Sequence, residues 1–121
     1  MELSEADLVW NRAAMQGGGS AAREGDLALA ALLLTHGRIC NGGVWHAVDS
    51  LSPDELAAAS DAYGFFGLPE VAELLRTPSD ASDDEFDVAE RRYGGLVPDD
   101  EVLVERFKTV FAASRDLFAS V

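Results

Sequence analysis

Apolar positions recur at helical spacing along most of the chain. Leu3, Leu8, Val9 and Ala13 follow one another around Ser4, whose hydroxyl can accept from first-turn amides, so a first helix is predicted with Ser4 as its cap. Gly17-Gly18-Gly19-Ser20 then breaks the pattern and predicts a flexible connector. A second helix is predicted from Gly25-Asp26, with Asp26 as cap, through Leu27, Ala30, Ala31, Leu33 and Leu34 to His36 or beyond. It is apolar on nearly every side, which predicts the central helix of a bundle.

Asn41-Gly42-Gly43 interrupts this run, and Val44, Trp45 and Val48 resume it as a short third helix. Paired glycines between apolar residues predict a hinge where backbone comes close to a neighbour. Leu51-Ser52-Pro53-Asp54-Glu55-Leu56 combines a cap, a proline at the first helical position, a capping box and a hydrophobic staple, predicting a helix that ends near Gly64. Phe65-Phe66-Gly67-Leu68-Pro69 reads as a tight corner, after which Pro69 opens a helix carrying Val71, Ala72, Leu74 and Leu75. A second capping box, Ser82 to Glu85, opens a more polar helix with Phe86, Val88, Ala89 and Tyr93, predicted to stop at Gly94-Gly95. The last helix begins near Pro98-Asp99-Asp100-Glu101 and places Leu103, Phe107, Val110 and Phe111 on one stripe. Nothing alternates with the period of a strand. The expected fold is all-α: one compact bundle of six or seven short helices over residues 1–121, with both termini at the surface.

Composition fits a folded domain, with 48% hydrophobic and 26% charged residues. The sign of the charge alters the picture: 22 acidic against 9 basic residues give −13, which repels nucleic acid and anionic lipid and favours a basic protein partner. The longest apolar run, Leu27 to Leu34, is eight residues against the roughly 18–20 that span a bilayer, so no membrane association is expected. Cys40, the one cysteine, cannot form an intrachain disulfide and is expected in the core of a cytoplasmic protein. A single lysine beside eight arginines, with abundant alanine, matches the coding bias of a high-GC bacterium.

Two sets of residues carry candidate chemistry. His36, Cys40, Trp45 and His46, with the Phe65-Phe66 corner, could line a small-ligand or catalytic pocket. They lack a second metal-ligand pair, a nucleophile elbow and a phosphate loop, so no metal, no cofactor and no catalytic residue are assigned; His36 is expected to cap a helix end. The second set is acidic: Asp80, Asp83, Asp84, Glu85, Asp87 and Glu90, then Asp99, Asp100, Glu101 and Glu105. Carboxylates three or four apart on a helix stand about 5–6 Å apart at Cβ, near phosphate spacing, so such a row can occupy a basic face.

Asn41-Gly42-Gly43 after a long apolar helix, followed by an aromatic and an amphipathic helix, resembles the DNA-mimic protein 19-like family. The likeness runs from about Leu27 to Leu75 and takes in Tyr63 and Phe65-Phe66-Gly67. That family has an aromatic directly after the glycine pair, whereas Val44 intervenes here before Trp45. The resemblance implies a helical domain and a protein-binding role in which an acidic surface stands in for DNA before a helix-turn-helix regulator. It carries over Asn41, Gly42 and Gly43 as structural positions only. The expected function is therefore a non-enzymatic, acidic interaction module for a basic protein such as a DNA-binding regulator, with a homodimer left open; the alternatives are the small-ligand or catalytic pocket and an accessory protein whose charge only confers solubility.

Overall fold

The computed structural model describes residues 3–121, which form six α-helices and a closing 3₁₀ turn, with no strand among them. Helix α1 is Glu5–Gln16, α2 is Glu24–Ser50, α3 is Pro53–Phe65, α4 is Pro69–Leu74, α5 is Asp83–Leu96 and α6 is Asp100–Ala113; the 3₁₀ turn is Arg115–Leu117. Local side-chain chemistry sets most starts. The Asp7 amide donates to Ser4 Oγ and the Ser4 amide to Asp7 Oδ2, both at 3.1 Å. Ser52 and Glu55 repeat this reciprocal box, and the Glu85 amide donates to Ser82 Oγ.

Helix α2 differs from expectation in two ways. Arg23, not Asp26, occupies its N-cap; Asp26 lies one turn in and accepts the Arg23 amide at 2.9 Å. The separate third helix is the continuation of α2 beyond a kink, where Gly43 takes φ 87° and ψ 175° inside an otherwise helical run. The hinge is therefore real. By length and composition α2 could cross a membrane; in this fold it packs against α1, α3 and α5.

The core gathers Val9, Leu29, Leu32, Val44, Ala59, Tyr63, Val71, Leu103 and Phe107. Phe107 is the hub of an aromatic group, with ring centroids 5.6 Å from Trp10, 5.4 Å from Phe111 and 5.7 Å from Phe118. Two further expectations need correction. The Gly17–Gly19 segment is a closed turn in which the Gly18 amide donates to Arg12 O and the Gly19 amide to Gln16 O. Helix α5 runs through Gly94 and Gly95 to Leu96, because both glycines point into open space while Tyr93 and Val97 on either side are buried.

The chain ends at the surface, as expected, with Ser120 and Val121 exposed, but Phe118 and Ala119 just before them are buried. Asp26, wholly buried, accepts the Ala119 amide at 2.7 Å and pairs with Arg12 at 2.8 Å, while Arg12 also donates to Ala119 O and Ser120 O. Gly25 makes this closure possible, since a Cβ there would lie 2.7 Å from the Phe118 ring and 2.8 Å from Leu117 O. One carboxylate thus joins α1, α2 and the tail.

Candidate functional site

Two places in the fold concentrate polar side chains on chemistry-bearing positions. The first is a chain of hydrogen bonds that starts in the core. Tyr63 and Tyr93 hydroxyls are 2.9 Å apart, Tyr93 is 2.7 Å from His36 Nδ1, and His36 Nε2 is 2.7 Å from Asp100 Oδ1. The arrangement that gives every hydrogen an acceptor runs Tyr63 to Tyr93 to His36 Nδ1, with Nε2–H donating to Asp100. It links α3, α5, α2 and α6. Burial pushes both tyrosine hydroxyls well above their ordinary range, so they stay protonated and act only as hydrogen-bonding groups.

His36 is therefore not a helix-end cap but a mid-helix bridge. Cys40, one turn on, is exposed rather than in the core, with Sγ 3.4 Å from His36 Nε2. Desolvation of its thiol, followed by the Asp100 carboxylate, pushes its pKa up, the opposite of what activates a cysteine nucleophile. No group of three His, Cys, Asp or Glu side chains among the described residues could hold a metal ion. The rest of the expected pocket is not assembled: His36 lines a groove between α1 and α2, Trp45 lines another beside α5, and Phe65 stacks edge-on against Phe66.

We expect Tyr93→Phe to destabilise the fold by about 1–3 kcal/mol, because it strips the buried Tyr63 hydroxyl of its only partner among the described residues. Tyr63→Phe should cost less, since Tyr93 keeps His36. Urea unfolding of the two variants checks this asymmetry; equal losses would mean that the order of the chain is wrong.

The second place is the acidic region, whose residues are all exposed. The fold divides them. Glu85 accepts from the Ser82 hydroxyl and not from its amide, so the expected second capping box is only half formed; Asp99 accepts the Glu101 amide, Asp100 holds His36, and Glu90 accepts the Val44 amide at the start of the second limb of α2. Asp80, Asp83, Asp84, Asp87, Glu101 and Glu105 have no side-chain hydrogen bond or ion pair among the described residues. Asp83 and Asp87 border one groove, Asp100 the α1–α2 groove, and Glu105 a depression with Leu96 and Arg106.

The Asp83 and Asp87 groove has an unusual floor. Trp45, 49% exposed, forms it together with Ala81 and Phe86. Asp83 and Asp87 are one turn apart on α5, so both carboxylates border the same opening. The kink at Gly43 and the Glu90 staple bring the second limb of α2 against α5, and this puts the indole there. Sequence reading listed Trp45 and these acids separately. Their meeting depends on packing between segments some forty residues apart, for which neither segment carries a signal of its own.

Scans against protein-family models, curated proteins and solved structures found no match to this chain.

Proposed function

We propose that the protein is an acidic interaction module that docks a basic protein segment on the groove formed by Trp45, Phe86, Asp83 and Asp87. The observation that carries this reading is the half-exposed indole set beside two carboxylates that have no cationic partner among the described residues. An arginine or lysine entering the groove would meet the indole and two acceptors together, and a cation can be held by both attractions. The long-range field of −13 charges would draw a basic partner in, and the indole would supply the short-range anchor that bulk charge lacks. DNA-binding regulators belong to this class of partner, in keeping with the resemblance of the Asn41-Gly42-Gly43 segment. The protonated Cys40 thiol favours binding over catalysis at the neighbouring chain of hydrogen bonds.

The test is a titration with an arginine-rich peptide, and with any basic protein recovered from lysate, at low and high salt. Trp45→Ala should weaken binding by about 2 kcal/mol or more, roughly 30-fold, as expected of a central aromatic anchor. Asp83→Asn with Asp87→Asn should weaken binding and flatten its salt dependence. Equal affinity of wild type and Trp45→Ala would reject the groove and leave only diffuse charge.

A further inference from the structure

A different face of the molecule has opposite properties. Helices α1 and α2 form a groove of about 580 Å³ whose floor is made by Ala13, Ala14, Ala30 and Ala31. Met15, 81% exposed, and Leu34 stand at its edge. Leu8 and Met15 are seven residues apart on α1, as are Leu27 and Leu34 on α2, and all four are exposed. Each pair therefore lies on one side of its helix.

We infer that this α1–α2 face is where a second copy of the same chain docks. Two features select that occupant. The first is charge. The chain holds 22 acidic residues, yet none falls between Leu27 and Val48, those of α1 among the described residues are Glu5 and Asp7 in its first turn, and the only described ionisable groups lining the groove are His36 and Asp100, bonded to each other. A basic partner gains from acids and would settle on a face that carries them. A partner that is itself strongly acidic requires a contact face poor in them, because opposed like charges cost several kcal/mol across an interface. A second copy of this −13 chain is such a partner.

The second feature is shape. A two-fold interface must carry both knob and hole on the same patch. Here Met15 and Leu34 project beside an alanine floor that allows close approach of a helix, so each copy can offer its edge residues to the other's floor. The contact leaves the Trp45 groove, on the far limb of α2 beside α5, outside the interface.

Sedimentation velocity of the full chain over a wide concentration range tests this. The wild type should show a concentration-dependent species of twice the 12.9 kDa chain mass, and added salt should strengthen it by screening the repulsion between copies. Salt weakens capture of a basic segment, so the two kinds of binding respond in opposite directions and can fail separately. Leu34→Glu and Met15→Lys should each shift the protein to monomer by tenfold or more in dissociation constant. The first adds negative charge and the second removes some, so loss of the dimer in both identifies apolar contact as the cause. Both positions are exposed, and unchanged circular dichroism would show that the fold is intact. A monomer at all concentrations overturns the inference, as does dimerisation unaffected by either variant. Binding of the monomer to neutral phosphatidylcholine vesicles, lost in Leu34→Glu, would overturn it in favour of a lipid occupant.

Discussion

Alanine at position 43 will lower the stability of the protein by about 3–5 kcal/mol, the sum of a backbone cost and a lost hydrogen bond. Gly43 sits at φ 87° and ψ 175°, a region that side chains essentially never enter. An added Cβ would also stand 2.7 Å from Glu90 Oε1. That carboxylate ends a flexible side chain and can swing away, so the contact itself costs little. Moving it, however, leaves the Val44 amide without its acceptor where the second limb of α2 begins. Urea unfolding measures the total. Glu90→Ala should reproduce only the hydrogen-bond part, and the double variant should lose less than the sum of the singles. A loss below about 1 kcal/mol in Gly43→Ala would show that the kink relaxes into regular helix at little cost.

Asp26→Ala should be comparably damaging, about 3–5 kcal/mol, because removing one partner of a buried ion pair leaves the other uncompensated. Asp26 satisfies the Arg23 amide, the Ala119 amide and the Arg12 guanidinium together. Without Asp26 the Arg12 guanidinium keeps only the Ala119 and Ser120 carbonyls, neither of them charged, and its Nε is already buried without a partner among the described residues. With a urea slope of about 1–3 kcal/mol per molar, the midpoint should fall by roughly 2 M. A shift under about 0.5 M would mean that the tail stays in place through apolar contacts alone.

The same group predicts an acid dependence. Burial raises the Asp26 pKa, but the Arg23 and Ala119 amides and Arg12 together outweigh it and hold the carboxyl below its ordinary range. A depressed folded pKa means that the unfolded chain binds the proton first. The stabilisation from Asp26 is therefore complete above about pH 4 and is lost as pH falls through the lower folded value. Asp7 and Glu55, each lowered by its bonds to the capping serine, change with pH in the same direction. In Asp26→Ala the acid limb of the stability profile should be shallower than in the wild type.

What the sequence disclosed and what it concealed follow from distance along the chain. Ser4, Ser52 and Ser82 were legible as caps because each bonds a residue three positions away. The glycine hinge was legible because the constraint falls on the backbone of the residue itself. His36 and Tyr93 meet across 57 residues and Asp26 and Ala119 across 93, and neither pair carries a local mark. Tyr93 occupied an apolar stripe position, which concealed a hydroxyl that bonds at both sides. Asp26 resembled a cap because a buried acid near a helix start has the same neighbours in sequence as a solvated one. Helix α5 passed its glycines because Tyr93 and Val97 bury on either side, and tertiary burial there outweighs the local cost of glycine. Asp83, Asp84, Glu85, Asp100 and Glu101 lie in first helical turns, where the capping signals put them. Which depression each borders depends on packing between helices, which periodicity does not encode.

The two hinge glycines also bear on how descent would shape this chain. Gly43 is held by its backbone region, and a Cβ on Gly42 would lie 2.7 Å from the His46 side chain, whereas Asn41 beside them is exposed. Drift should therefore leave the glycine pair untouched in any lineage that keeps the bend, whatever the protein binds. Invariance there would record architecture alone. Variation at Trp45, Asp83 and Asp87 is where a change of partner would leave its trace, with the indole and the two carboxylates lost or kept together.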